Sequence, residues 1–186
     1  MSPLLERFRP DGYHDSIFDV DTEELKKGGI TGLIVDLDNT LVPRHEREAP
    51  ERVHKWLEEV IERGFRVCIV SNNWAGRVKA IADELGLSLV APAAKPRGGA
   101  FVQAMEILGT SRSQTAVIGD QLFTDILGGN LAGLVTILVV PISPRELLHT
   151  RILRRLERMV LRKLQKKDLL RKYRASFPDS GGGFCV

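Results

Sequence analysis

Cysteine is nearly absent, with two in 186 residues. A disulfide-stapled scaffold is therefore excluded, and a chain of 20.7 kDa can bury most of its apolar surface without one. Cys68 stands in the apolar run 67–70 and reads as a small core residue. Cys185 lies in a Gly-rich tail whose ending, Gly-Phe-Cys-Val, is no prenylation box. Such sparing use fits a reducing compartment. Histidine is scarce too: His14, His45, His54 and His149 are scattered without zinc-ligand spacing. Aromatic residues make up 6%, too few to build a stacking platform for single-stranded nucleic acid. Neither a GxxxxGK(S/T) loop nor a strand-following GxGxxG occurs, which removes the common nucleotide cradles. The first ten residues carry one Glu and two Arg with no apolar core of signal-peptide length, so no targeting segment is expected. Residues 126–144 form the only long uncharged run, 19 residues. Gly128, Gly129, Asn130, Gly133, Pro141 and Pro144 interrupt it, which predicts a helix end, a turn and a strand rather than a membrane span.

What is present is ordinary for a globular chain: 43% hydrophobic and 27% charged residues, which excludes wholesale disorder. The length fits one domain with an appendage. Net charge is only +3, but it is unevenly placed. Residues 145–174 hold twelve Lys or Arg against three Asp or Glu, +9, so the remainder is −6. A basic segment on an acidic body suggests an anionic partner.

Short apolar runs alternate with helical patterns. Strands are predicted at 32–38, 66–71, 87–90, 115–119 and 134–140. Helices are predicted at 50–63, 76–85, 97–108 and 124–131, the first with Val53, Leu57, Val60 and Ile61 on one face, and Pro144 is expected to open a terminal helix. Continuous apolar strands separated by helices imply a parallel sheet covered on both faces, a doubly wound, Rossmann-like α/β fold. No internal repeat is visible, and the tail from Ser176 is expected to be disordered.

Ligands of such sheets bind beyond the carboxyl ends of the strands, and polar residues gather there. The first strand ends in Asp36-Leu-Asp38-Asn-Thr40 and the second in Ser71-Asn72-Asn73. Lys95 follows the third, and the fourth ends in Gly119-Asp120, with Asp125 shortly after. Asp36 and Asp38, two apart on an extended chain, point the same way. One can be a nucleophile and the other a general acid/base, because like charges in one site push their pKa values apart. Asp36 and Asp120 make a hard oxygen site suited to Mg2+, and Ser71 and Lys95 can hold phosphoryl oxygens. Taken singly, Asp38 is no more than a turn cap and Lys95 no more than a solvated loop residue. Four sets at successive strand ends, in this order, argue for a phosphoryl-transfer site.

GLIVDLDNTLV (32–42), SNN (71–73), AKP (94–96) with Ala100-Phe101, and GDQLFTDILGGN (119–130) resemble the haloacid dehalogenase (HAD) phosphatase superfamily. More narrowly, they resemble its YqeG-type HAD IIIA branch, whose relatives include phosphatidylglycerophosphate phosphatases. The resemblance covers about residues 15–140. It implies an aspartyl-phosphate mechanism. Asp36 is then the nucleophile, Asp38 the acid that protonates the leaving alcohol and then activates water, and Lys95 the residue that steadies the intermediate. Thr40 supports the active loop, Ser71 binds phosphoryl oxygen, and Asn72 lies beside it in the substrate site. Asp36, the Asp38 carbonyl and Asp120 are the implied Mg2+ ligands, with Asp125 in support.

HAD enzymes often insert a cap domain between these motifs. The 31 positions from Thr40 to Ser71 and the 24 from Ser71 to Lys95 are already filled, so a capless, open site is expected. An open site admits a phosphate attached to something large. Ile152, Leu153, Leu156, Met159, Val160 and Leu164 recur at helical spacing. Arg154, Arg155, Arg158, Arg162, Lys163, Lys166 and Lys167 mostly take the other faces, the pattern of a basic amphipathic helix that lies on an anionic membrane. The alternative is that the apolar stripe packs on the sheet and the charge is solvated.

The expected organisation is therefore a phosphatase domain (1–143), a basic helical extension (144–175) and a tail (176–186). The expected activity is Mg2+-dependent hydrolysis of phosphatidylglycerophosphate or a related anionic lipid phosphate, at the cytoplasmic membrane face. A soluble or protein-linked phosphate is the alternative within the class. An RNA- or ribosome-binding module with a vestigial site is the alternative outside it, less favoured because Asp36, Asp38, Lys95 and Asp120 are all in place.

Overall fold

The structure is a computed structural model that describes residues 3–73, 76–143, 150–167 and 169–173. Among these, the strands are β1 (Gly12–His14), β2 (Gly32–Val35), β3 (Arg66–Val70), β4 (Ser88–Val90), β5 (Thr115–Gly119) and β6 (Val135–Val139). The helices are α1 (Pro3–Glu6), α2 (Thr22–Lys27), α3 (Glu51–Glu62), α4 (Gly76–Glu84), α5 (Gly99–Leu108), α6 (Leu127–Ala132) and α7 (Thr150–Lys166). The strands form one wholly parallel sheet in the order β1-β6-β5-β2-β3-β4. From β2 the chain steps outward through β3 and β4, then returns to β5 on the other side of β2. The order therefore reverses between β2 and β5, which opens a crevice at their carboxyl ends.

β2 is buried along its whole length. One apolar cluster joins Leu33, Val35 and Ile69 to α2, α3 and α4. A second joins Ile34, Cys68 and Val117 to α5 on the opposite face. The two-faced burial expected from the continuous apolar strands is present. In α3 the buried positions are Val53, Trp56, Leu57 and Val60, whereas Ile61 is half exposed. Ile61 lies about 80° around the helix from Val53, outside the arc the other four define. Trp56 takes its place in the core.

β1 and α2 have no counterpart in the sequence reading. β1 joins the sheet through its neighbours: Asp11 N donates to Thr136 O at 2.8 Å, and Asp11 Oδ2 accepts from Thr136 N at 2.9 Å. On its outer side Tyr13 N donates to Arg171 O at 2.7 Å, so the C-terminal segment shields that edge. The helix expected at 124–131 begins as a π-helical turn, Leu122–Ile126, before α6. α6 lies so close to β6 that a Cβ on Gly129 would stand 2.5 Å from Thr136 Cγ2. Gly129→Ala is expected to cost about 1–3 kcal/mol by overpacking. Gly98→Ala, where nothing lies within 4 Å, should be near neutral. Urea denaturation of the two variants checks the contrast.

Among the described residues no inserted domain stands between β2 and β3 or between β3 and β4. The predicted start of the terminal helix at Pro144 and the tail from Ser176 lie outside the described residues, as do the side chains of Ile152, Leu153 and Arg154. Further along α7, the expected apolar stripe splits. Val160, Leu161 and the fully buried Leu164 face inward, the first two packing on Leu122, Ile126 and Leu138, whereas Leu156 and Met159 are about half exposed. No helix among the described residues is long and apolar enough to cross a membrane.

Candidate active site

The crevice between β2 and β5 is lined by the turn that follows β2. Asp36 N donates to Ile118 O at 3.0 Å, continuing the pairing with β5. The chain then doubles back at once: Leu37 O accepts from Leu41 N and Val42 N, both at 3.1 Å, and Asn39 N donates to Val42 O at 2.8 Å. Asn39 has φ 64°, in the left-handed region that Asn tolerates better than most residues. This turn sends the Asp36 and Asp38 side chains to two different sets of partners.

Asp36 faces β5 and Lys95. Lys95 Nζ lies 2.7 Å from Asp36 Oδ1, 2.6 Å from Asp125 Oδ1 and 2.7 Å from Val70 O, with its side chain 3% exposed. Three oxygens thus surround an ammonium that has three N–H bonds. The Asp36 carboxyl is pushed up to about 7, by burial above all and by the charges of Asp125 and Asp38, against the opposing pull of Lys95. Burial also works against the Lys95 ammonium, but the charges of Asp125 and Asp36 and their hydrogen bonds outweigh it and hold its pKa above the ordinary lysine value.

Asp120 and Asp125 complete the acidic side. One oxygen from each of Asp36, Asp120 and Asp125 lies within 4.8 Å of the others, and all three residues are buried. Asp36 Oδ2 has no hydrogen-bond partner among the described residues. Asp36, Asp120 and Asp125 form a buried, oxygen-only donor set, with Lys95 paired to Asp36 and Asp125, and such a set fits a hard divalent cation. Asp125, expected only in support, stands at the centre of this cluster. Its Oδ2 accepts from Gln121 N at 3.1 Å, and it occupies space that only a glycine at 119 leaves free: a Cβ there would stand 2.3 Å from the Asp125 carboxyl carbon.

Asp38 faces the other way. Asn73 Nδ2 donates to its Oδ2 at 3.2 Å, and Arg77, in the first turn of α4, donates to its Oδ1. Arg77 is anchored in turn by Glu46 O at 2.8 Å. Ser71, buried, accepts from Asn73 N at 3.1 Å through its Oγ. Asn72 uses both ends of its amide on the Lys95 backbone, accepting from Lys95 N at 2.7 Å and donating to Lys95 O at 3.2 Å. In this structure Asn72 therefore fixes the Lys95 loop. Thr40 is buried, and its Oγ1 has no hydrogen-bond partner among the described residues. Asp36, Lys95, Asp120 and Asp125 thus meet in one cluster, Asn72 joins it through the Lys95 backbone, and Asp38 and Ser71 are linked through Asn73.

Two residues at the site were missed. Arg77 gave no signal beyond lying just after Ser71-Asn-Asn. Glu157 did give one: an acid on the apolar side of a basic helix, beside Val160, Leu161 and Leu164. It is 2% exposed and accepts from Leu122 N at 2.8 Å and Phe123 N at 3.4 Å, bracing the turn that follows Asp120.

Comparison with known proteins agrees with this geometry. Residues 33–108 match the haloacid dehalogenase-like hydrolase family, and residues 92–141 match a HAD-hydrolase-like family. The chain is 43% identical to "Probable phosphatase YqeG" of Bacillus subtilis (strain 168) over 164 residues, 88% of this chain and 95% of that protein. It is 32% identical to "Phosphatidylglycerophosphate phosphatase 1, chloroplastic/mitochondrial" of Arabidopsis thaliana over 167 residues. That match covers 81% of this chain and 46% of the plant protein, so this chain spans about half its length. Among solved structures, the cobalt-bound deoxy-D-mannose-octulosonate 8-phosphate phosphatase of Haemophilus influenzae superposes with a TM-score of 0.52 at 16% identity. It covers 76% of this chain and 90% of that one, a likeness of fold.

Proposed function

The chain belongs to the haloacid dehalogenase-like hydrolases and is a phosphatase of the YqeG type; from that premise we propose that it hydrolyses phosphatidylglycerophosphate, or a related anionic lipid phosphate, with Mg2+ at the cytoplasmic face of a membrane. The observation that carries the chemistry is the division of labour around the turn after β2: Asp36 pairs with Lys95 within the acidic cluster, whereas Asp38 is held by Asn73 and Arg77. The Asp36 carboxylate attacks phosphorus and the ester P–O bond breaks. Asp38 gives its proton to the leaving alcohol. Water, losing a proton to Asp38, then attacks the aspartyl-phosphate and the Asp36 carboxylate is released. Lys95 orients Asp36 and steadies the transferring group, Ser71 and Thr40 face phosphoryl oxygen, and Asn72 fixes the Lys95 loop. Asp36, the Asp38 carbonyl and Asp120 would hold Mg2+, with Asp125 beside them, and when bound the ion neutralises phosphate charge.

The raised Asp36 pKa bears on the cation. An acid raised on folding contributes stability that is present below about pH 4 and lost as pH rises through about 7. Above that, the cluster is charged and cation binding restores what was lost. Mg2+ at a hundred times its Kd contributes about 2.7 kcal/mol, so at pH 8 a rise in Tm of about 5–10 °C is expected. At pH 5 the rise should be much smaller. Equal shifts at both pH values would place the ion elsewhere.

The lipid assignment draws on three supports: the plant relative, the absence of an inserted cap, and α7. Along α7, Leu156 and Met159 stand exposed among Arg155, Arg158, Arg162, Lys163 and Lys166, also exposed, which suits an anionic bilayer. On this reading residues 1–143 are the phosphatase, 144–175 the basic extension and 176–186 a tail. Phosphate release from phosphatidylglycerophosphate in mixed micelles tests it. Turnover well above that of glycerol 3-phosphate is expected. Inertness toward the lipid with cleavage of a generic aryl phosphate would leave the chemistry and remove the lipid. Salt-sensitive binding to RNA but not to anionic vesicles would turn α7 toward nucleic acid.

A further inference from the structure

Resting on the phosphatase reading above, we infer that Arg77 forms a second anion subsite on the leaving-group side of the crevice. Its ligand is a phosphomonoester whose alcohol carries a further negative group, a phosphodiester, a few atoms from the scissile bond.

Whatever is esterified to the phosphate must extend past Asp38, because Asp38 has to reach the bridging oxygen to protonate it. Asp38 lies between Asn73 Nδ2 and the Arg77 guanidinium. A negative group attached to the leaving alcohol therefore comes within reach of Arg77. Lys95 cannot serve it, being enclosed by oxygens from Asp36, Asp125 and Val70. Arg77 can: its side chain is 15% exposed, and of its five N–H bonds one is used on Glu46 O and one on Asp38. Three donors remain to meet phosphate oxygens. Arg77 also adds positive charge beside Asp38, on the side of the crevice that Lys95 does not face. Beyond Asn73 and Val78 a cavity of about 360 Å3 opens between α4 and β4, walled by Leu87, Leu89 and Ala91. It gives the body of the leaving group room to extend.

A lipid headgroup and a soluble ester with two phosphates share this chemistry, and the test separates them. The ratio of kcat/KM is measured for two soluble esters. One is glycerol 3-phosphate. The other is the deacylated headgroup, a glycerol with a phosphomonoester at one end and a phosphodiester at the other. The wild type should prefer the second by about thirtyfold, the range of a charge-assisted contact. Arg77→Met should bring the ratio to within about threefold of unity, whatever common factor both rates lose. Arg77→Lys, which keeps the charge but not the guanidinium, should fall between; if Arg77→Met does not fold, this variant decides alone. A ratio unchanged in both variants, with both rates reduced alike, would overturn the subsite and leave Arg77 as a positioning residue for Asp38. Cleavage of both esters by the wild type without preference would remove the subsite but keep the phosphatase. If neither ester nor an aryl phosphate were cleaved beyond the Asp36→Asn background, both readings would fall. Intact lipid in micelles is the third arm. A kcat/KM above that of the deacylated headgroup assigns the subsite to a lipid, one below it to a soluble ester, and the loss on Arg77→Met is required in either case.

Discussion

Asp36→Asn should lower phosphate release by about ten-thousand-fold or more without unfolding the protein. The loss is large because an amide cannot form the covalent intermediate, so the two-step route closes rather than slows. The fold survives because the burial that pushes the Asp36 carboxyl up to about 7 already makes its charge unfavourable in metal-free protein. A neutral isostere removes that cost, and Lys95 keeps its contacts with Asp125 and Val70 O. The urea midpoint at pH 8 without divalent cations should therefore hold or rise. Acid-quenched wild type incubated with substrate should carry the added mass of one phosphoryl group, and the variant none. Residual turnover near that of the wild type would mean that another group attacks phosphorus.

Lys95→Met should damage stability as well as rate. Methionine has nearly the same reach, but Asp36 and Asp125 would then face each other beside Asp120 without the ammonium that pairs with both. Removing one partner of a buried ion pair costs about 3–5 kcal/mol, because the other charge is left uncompensated. Denaturation at pH 8 should show a loss of that order in EDTA, and Mg2+ should recover part of it. Lowering the pH should recover part as well, since protonating the carboxylates removes the same repulsion. A loss below about 1 kcal/mol in EDTA would show that Lys95 does not balance the cluster. Activity should fall even with Mg2+ present, because the group that orients Asp36 is gone.

Much of this architecture could be read from the chain. Apolar runs such as 32–35 and 115–119 are buried on both faces, and that burial leaves an uninterrupted hydrophobic signature. The chemistry was legible for a related reason. Strand ends are fixed points, so polar residues just beyond them must meet at one edge of a parallel sheet. What escaped was whatever depends on a distant partner. β1 has three residues, too few to show any period, and it exists because Thr136 and Ile137 are there to receive it. Ile61 seemed apolar enough for the core, yet the direction of α3 is set by Trp56, whose greater surface decides which arc is buried. Arg77 and Glu157 act 39 and 35 positions from the residues they hold, through contacts that no local pattern records.

The pairing of β1 with β6 fixes an order of events during synthesis. Gly12 stands opposite Ile137, and Asn130 Nδ2 donates to the carbonyl oxygens of Arg7 and Arg9 at 2.8 and 3.0 Å. Residues 7–14 are made before the strand that receives them, and are thus among the last of the described elements to find their place. They wait until residues 130–139 have emerged, while β2, β3 and β4 already have their neighbours. The catalytic turn belongs to that early half, but its partner Asp120 and strand β6 do not. A nascent chain arrested before residue 120 would carry the nucleophile with half of its crevice missing.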